Sequence, residues 1–244
     1  LRIGALTHPG LVREKNEDYF LIVKDENEEI TALIIADGMG GHNSGEIASF
    51  MASDCLARFF KSRINKELEP ANIDDWLVQG INEANIKVYN EAKENSINSG
   101  MGTTISLAVF SDDIINIGHV GDSRVYLFRN NTFEQVTTDH SYIEELIKSG
   151  TITKEEARTH PRRNVITRAL GNEEVVIPDL YKLEFLPGDI LLMCTDGLTN
   201  MLDDDEIFNV LNTIKAPEDI CSRLVEIANQ KGGEDNITVI VAVN

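Results

Sequence analysis

Residues 32–42 read ALIIADGMGGH. An apolar run ends on the carboxylate Asp37, and the chain just beyond it is stripped of side chains at Gly38, Gly40 and Gly41. A short apolar run bounded by turn-forming residues reads as a buried strand. A core strand ending on an aspartate aims a charge off the edge of a sheet. That reading governs the rest of the chain, because the same device recurs further along.

Strand-like runs flank the stretch at RIGALT (2–7), YFLIV (19–23) and TALIIA (31–36). Residues 44–66 then pair apolar positions at Ile47/Ala48, Met51/Ala52, Cys55/Leu56 and Phe59/Phe60, the four-residue repeat of an amphipathic helix. A second helix is expected from about Asn72, as its cap, to Asn95, burying Ile73, Leu77, Ile81, Ala84 and Val88. TTISLAVF (103–110), IINIGHV (114–120), RVYLFR (124–129) and FEQVTT (133–138) come next, and the turn-forming SDD and NNT join them pairwise into hairpins. Residues 139–171 are polar and locally helical, with a capping box at Thr153–Glu156. Strands at 180–186, 189–195 and 236–243 and helices at 203–211 and 217–230 complete the chain, the last helix stopped by Gly232 and Gly233. Strands and helices do not alternate strictly, and no linker or repeat divides the 244 residues. One layered α+β domain with antiparallel, hairpin-linked sheets is expected.

Asp122 in GHVGDSR and Asp196 in LLMCTDGL also stand just past apolar runs, while Asp235 in GGEDNITVIVAV stands just before one. Hard divalent cations prefer oxygen ligands, and strand ends hold carboxylates rigidly. Any single Asp-Gly pair reads more readily as a turn; it is the recurrence beside strongly apolar strands that favours a cation site. The acids at 203–206 read instead as a helix start, Asp203 capping and Glu206 completing the box. The glycine-rich stretch lacks the Lys-Ser/Thr of a P-loop and the spacing of a dinucleotide fold. Met39 stands where an aspartyl-phosphate enzyme wants a second Asp, and no Arg stands six residues after Cys55, Cys194 or Cys221, so neither covalent phosphatase chemistry is indicated. Three dispersed cysteines read as buried thiols rather than a disulfide framework. A net charge of −19 disfavours nucleic-acid partners. No apolar run approaches the roughly 20 residues that span a bilayer, so no membrane insertion and a cytoplasmic location are expected.

Read in order, RxxNED (13–18), ADGMGGH (36–42), GMGTT (100–104), GDSR (121–124), TDGL (195–198) and GGEDNIT (232–238) resemble the metal-dependent Ser/Thr protein phosphatases of the PPM family, type 2C, and in particular their bacterial stand-alone branch. The resemblance implies a four-layer αββα sandwich of two antiparallel sheets flanked by helices, with a binuclear Mn²⁺ or Mg²⁺ centre at one edge. It implies that Asp37 bridges the ions, that Asp196 and Asp235 complete one site, and that the Gly38 carbonyl serves the other. Glu17 and Asp18 would act beside that second ion, directly or through water. Asp122 would join Asp196 at a third, weaker ion. Arg13 would bind substrate phosphate, which suits a bidentate guanidinium fork. The implied reaction is metal-assisted hydrolysis of phosphoserine and phosphothreonine without a covalent enzyme intermediate. Met39 stands where many eukaryotic relatives carry a His after the Asp-Gly pair; His42 comes three residues later, as general acid or as part of a helix start. His8, His119, His140 and His160 read as structural. Residues 139–171 match the family's flap, whose Arg162, Arg163 and Arg168 either meet substrate or form surface ion pairs. The implied partners of this monomer are phosphorylated proteins, a Ser/Thr kinase and its targets first. An inert relative would usually lack one of these acids, and an ion sensor would not require Arg13.

Overall fold

The computed structural model describes residues 1–27, 29–40, 44–64, 72–157 and 159–244. In chain order the elements are β1 (Arg2–His8), β2 (Asp18–Lys24), β3 (Ile30–Met39), α1 (Gly45–Ile64), α2 (Ile73–Glu94), β4 (Gly102–Thr103), β5 (Ile105–Ser111), β6 (Ile114–Val120), β7 (Arg124–Arg129), β8 (Thr132–Gln135), α3 (Tyr142–Lys148), α4 (Lys154–Ala157), β9 (Asp179–Glu184), β10 (Ile190–Cys194), α5 (Asp196–Thr199), α6 (Asp204–Thr213), α7 (Pro217–Gln230) and β11 (Ile237–Val243).

One sheet runs β1-β11-β10-β7-β8 and the other β2-β3-β5-β6-β9, with β4 pairing β3 beyond that path. Adjacent strands pair antiparallel throughout. Alternation along β3 explains its unbroken apolar sequence. Leu33 and Ile35 enter the core between the sheets with Leu191, Met193, Ile240 and Ala242. Ala32, Ile34 and Ala36 face the other way, into a core shared with Ala48, Ala52 and Leu56 of α1. On the far side, Val239 and Val241 of β11 pack with Ile207 and Leu211 of α6 and Leu224 of α7. The layers are therefore helix, sheet, sheet, helix, the α+β sandwich that the motifs imply.

The structure departs from the sequence reading at several ends. β3 does not stop at Asp37: Gly38 and Met39 continue it by pairing with Thr103 and Gly102 of β4, a strand too short to announce itself in sequence. Asn72 occupies the N-cap position of α2, but its backbone is helical and its side chain makes no cap hydrogen bond. Acidic Asp74 and Asp75 in the first turn favour that end instead. The last residues expected in the first helix, Asn65 and Lys66, lie outside the described residues, as do Gly41 and His42. Other local signals hold. Both capping boxes close, Asp203 with Glu206 and Thr153 with Glu156. The β7–β8 turn places Asn130 and Asn131 at φ 50° and 59°, as a two-residue primed turn requires. All three cysteines are free and buried.

His119 of β6 has no exposed surface, bonds Ser106 Oγ through Nδ1 at 2.8 Å, and lies with its ring centroid 4.9 Å from that of the His140 ring, the two tilted by 40°. Burial, and then the neighbouring His140, push its pKa down to about 3. An unfolded histidine titrates near 6.5, so acid protonates the unfolded chain first. The neutral ring's contribution is complete above that value and is lost as pH falls toward the folded one. Between pH 8 and pH 5 the wild type should lose about 2 kcal/mol more stability than His119→Gln, read by urea denaturation. Equal losses in the two proteins would rule out a buried neutral histidine at this position.

Candidate metal centre

The β2–β3 register sets Asp18 directly opposite Asp37. Like charges directly across a ladder are destabilising, so this pairing needs a reason beyond folding. The neighbouring sheet brings the others. Asp196 opens α5 just past the end of β10, and Asp235 precedes β11, the strand paired with β10. Asp122 lies in the bend between β6 and β7. Acids far apart in the chain thus meet at one edge of the sandwich.

Their electrostatics show the crowding. Desolvation, then Asp18, Asp196, Asp122 and Asp235 in turn, hold the Asp37 carboxyl well above its usual range. Burial does the same for Asp122, followed by Asp196 and Asp139. Asp18 rises to about 7 and Asp196 to about 6, each by desolvation first. Arg13 and Arg124 supply opposing charge, but not enough to restore ordinary values. Asp18 and Asp122 are only 6% and 7% exposed, yet Oδ1 of each has no hydrogen-bond partner among the described residues. A buried carboxylate oxygen without a donor is expensive, and a divalent cation would satisfy both the lone pairs and the charge.

The donor set fits Mn²⁺ or Mg²⁺. It is all oxygen, with no soft ligand among these acids. Among the described residues, no three His, Cys, Asp or Glu side chains form a ready-made cage about one point. Such a cage is not what Mg²⁺-type ions need, since they commonly take one or two carboxylates and complete the shell with water.

Further residues, silent in the sequence reading, hold the acids in place. Thr195 and Thr238 both donate to Asp18 Oδ2, at 2.9 and 2.6 Å, which turns Oδ1 away from them. Asn200 donates to Asp196 Oδ2 at 3.0 Å. The Asp37 N–H donates to Thr104 Oγ1, and Thr104 N–H donates back to the Asp37 carbonyl, both at 2.9 Å. Asn236 accepts from Glu17 N–H at 2.8 Å and donates to the carbonyls of Pro9 and Lys15, pinning the loop that carries Arg13. These residues belong to the TDGL, GMGTT and GGEDNIT stretches or stand just beside them, so their only signal was membership of a motif or nearness to one.

Glycine has a concrete reason at two positions. A Cβ on Gly38 would lie 2.1 Å from the Gly45 carbonyl oxygen and 2.5 Å from that of Glu17. Its absence lets the start of α1 close on β3 beside Asp37. A Cβ on Gly197 would lie 1.9 Å from the Asn236 carbonyl oxygen, so glycine lets α5 close on the segment that carries Asp235.

Glu17 is half-buried and accepts from Gly45 N–H at 3.2 Å, at the start of α1, and burial raises its pKa. Arg13 donates through Nη2 to Asp235 Oδ2 at 2.8 Å. Among the described residues that is its only hydrogen bond, leaving other N–H groups for an anion. Arg13 and Asp235 line a cleft of about 170 Å³ with Gly197, Asn200, Met201, Glu234 and, from the 139–171 segment, Arg163 and Asn164. A larger groove of about 340 Å³ between α6 and α7, lined by Val210, Ile214 and Ile227, contains none of the site acids. The segment's arginines separate. Arg168 is bound to Asp179 at 2.6 Å and to the Ile177 carbonyl, and Arg162 lies over the Tyr142 ring. Arg163 alone lines the cleft.

A family profile described as protein phosphatase 2C matches residues 12–236. A serine/threonine phosphatase of Listeria welshimeri is 39% identical over 96% of this chain and 92% of its own length. The serine/threonine phosphatase structure from S. agalactiae superposes with a TM-score of 0.92 at 38% identity, covering 100% of this chain and 99% of that one. The catalytic domain of the phosphatase PstP, in complex with two manganese ions, superposes with a TM-score of 0.87 at 34% identity, covering 100% and 98%.

Proposed function

The chain belongs to the protein phosphatase 2C family of metal-dependent protein-serine/threonine phosphatases, and from that premise we propose how its own residues divide the work. The observation that carries the reading is the direct opposition of Asp18 and Asp37, with Asp122, Asp196 and Asp235 near enough to shift their protonation. Asp37 would be shared between two ions, Asp196 and Asp235 would complete one site, and the Gly38 carbonyl would serve the other with Glu17 and Asp18. Asp122 with Asp196 would take a third. Mn²⁺ or Mg²⁺ held there supplies Lewis acidity toward phosphate oxygen and a nucleophilic water at neutral pH.

The protein's contribution is placement. Thr195 and Thr238 fix the Asp18 carboxylate, Asn200 fixes Asp196, and Thr104 fixes the Asp37 backbone, so little reorganisation remains when charge develops. Arg13 meets the phosphate from the cleft side, a planar fork against tetrahedral oxygens. His42, which lies outside the described residues, is one candidate to protonate the leaving alkoxide, with a role at a helix start or proton donation by water at the metal as the alternatives.

We read residues 1–244 as one catalytic domain with 139–171 as its flap, acting in the cytoplasm as a monomer against a Ser/Thr kinase and its targets. Among the described residues no helix is long and apolar enough to cross a membrane. The test uses an autophosphorylated Ser/Thr kinase domain and a phosphothreonine peptide as substrates, with a phosphotyrosine peptide as control. Phosphate release from the first two with Mn²⁺, lost with EDTA and restored by excess Mn²⁺, is expected. Undiminished release after chelation would end the metal reading, and an untouched kinase domain would end the kinase-opposing one.

A further inference from the structure

Glu234 takes no part in the mechanism, yet it stands one residue before Asp235 on the wall of the same cleft. Its carboxylate reaches across to the flap, where Oε2 lies 3.7 Å from Arg163 Nη2. The two guanidiniums of the cleft are thus faced by adjacent acids, Arg13 by Asp235 and Arg163 by Glu234. The pairs differ in kind. Arg13 and Asp235 are hydrogen-bonded at 2.8 Å. The Arg163–Glu234 pair is too long for a hydrogen bond, and its side chains are 46% and 61% exposed. A pair of that sort contributes little and exchanges readily with another anion.

The backbone that presents Glu234 is nevertheless well held. Gly233 N–H donates to the Ala228 carbonyl, Leu11 N–H donates to the Gly233 carbonyl, and Asn236 anchors the other side. A fixed backbone with an exposed, charged tip at the mouth of a binding cleft is how a site sorts ligands by charge.

We propose that Glu234 is a specificity-determining residue: it competes for Arg163 with an acidic side chain flanking the phosphorylated residue of the substrate, and so holds down turnover of acidic phosphosites. The inference rests on the reading of the cleft as the phosphoprotein site. An incoming carboxylate must displace Glu234 from Arg163 and approach its like charge, whereas a neutral flank meets neither cost. Arg162, stacked on Tyr142, and Arg168, bound to Asp179, are engaged elsewhere on the flap. Arg163 is the flap cation lining the cleft.

The experiment compares two phosphothreonine peptides that differ only by Glu or Gln beside the phosphoresidue. The quantity read is the ratio of their kcat/KM values, for wild type, Glu234→Gln, Arg163→Gln and the double variant. Glu234→Gln is expected to raise the acidic-to-neutral ratio about 2–5-fold at low ionic strength, with the gain shrinking as salt is added. The gain should vanish in the double variant. An unchanged ratio in Glu234→Gln, or a gain that survives loss of Arg163, would overturn the competition. If wild type released phosphate from neither peptide, the phosphoprotein reading of the cleft would fail, and this inference with it.

Discussion

Asp37→Asn is expected to lower kcat/KM for a phosphothreonine peptide by at least about 10³-fold, roughly 4 kcal/mol of transition-state stabilisation, while making the metal-free fold more stable. The two effects share one cause. Asp37 is the carboxylate on which the others converge, through Asp18 across the ladder and through Asp196, Asp122 and Asp235. Asparagine keeps the shape and removes the charge. It relieves repulsion worth about 1 kcal/mol between directly opposed like charges, but takes away the ligand that two ions would share. Denaturant midpoints measured in EDTA should therefore move up in the variant as activity disappears. A variant that kept activity within tenfold of wild type would break the assignment of Asp37. One that lost activity and stability together would indicate a damaged fold instead.

Saturating Mn²⁺ should raise the melting temperature of the wild type by about 5–10 °C, and by more at pH 8 than at pH 5.5. A ligand that binds only the folded state at a hundred times its dissociation constant contributes about 2.7 kcal/mol, and a chain of this length shifts roughly 2–4 °C per kcal/mol. The pH dependence comes from the acids. Asp18 and Asp196 titrate near 7 and 6 in the fold, against about 3.8–3.9 for an unfolded aspartate. Raised carboxyl pKa values mean that the metal-free fold is most favoured below the unfolded value and loses stability as pH rises through 6 and 7. Cation binding opposes that loss, and protons compete with cations at the same oxygens at low pH. Differential scanning fluorimetry at both pH values reads the effect. Asp37→Asn should show little of it, and an equal Mn²⁺ shift in that variant would locate the ion elsewhere.

Much of the fold was legible from local pattern. The apolar pairs of α1, the Asn-Asn turn between β7 and β8 and the Asp203–Glu206 box each depend on residues within a few positions of one another, where propensity and hydrogen bonding act without help from the rest of the chain. β4 was not set apart, because two residues carry no period: Thr103 read as part of the TTISLAVF run, and Gly102 and Thr103 form a strand of their own only because β3 lies beside them. Asn72 shows the converse. A residue with high capping preference adopted helical backbone and left the end of α2 to its acidic first turn.

The site divides the same way. Asp37, Asp122, Asp196 and Asp235 stood out because carboxylates against apolar runs are conspicuous in one dimension. Asp18 facing Asp37, the threonines that grip Asp18, and the sorting of Arg162, Arg163 and Arg168 into stacked, cleft-lining and ion-paired roles were not readable there. Residue type and spacing by themselves determined which groups this protein has available and which short elements carry them. Register, sheet order and the close approach that Gly38 and Gly197 permit decided which of those groups meet. Charge repulsion and metal binding depend on distances of a few ångströms between residues up to 218 positions apart, such as Glu17 and Asp235. Such distances exist only once the two sheets have packed.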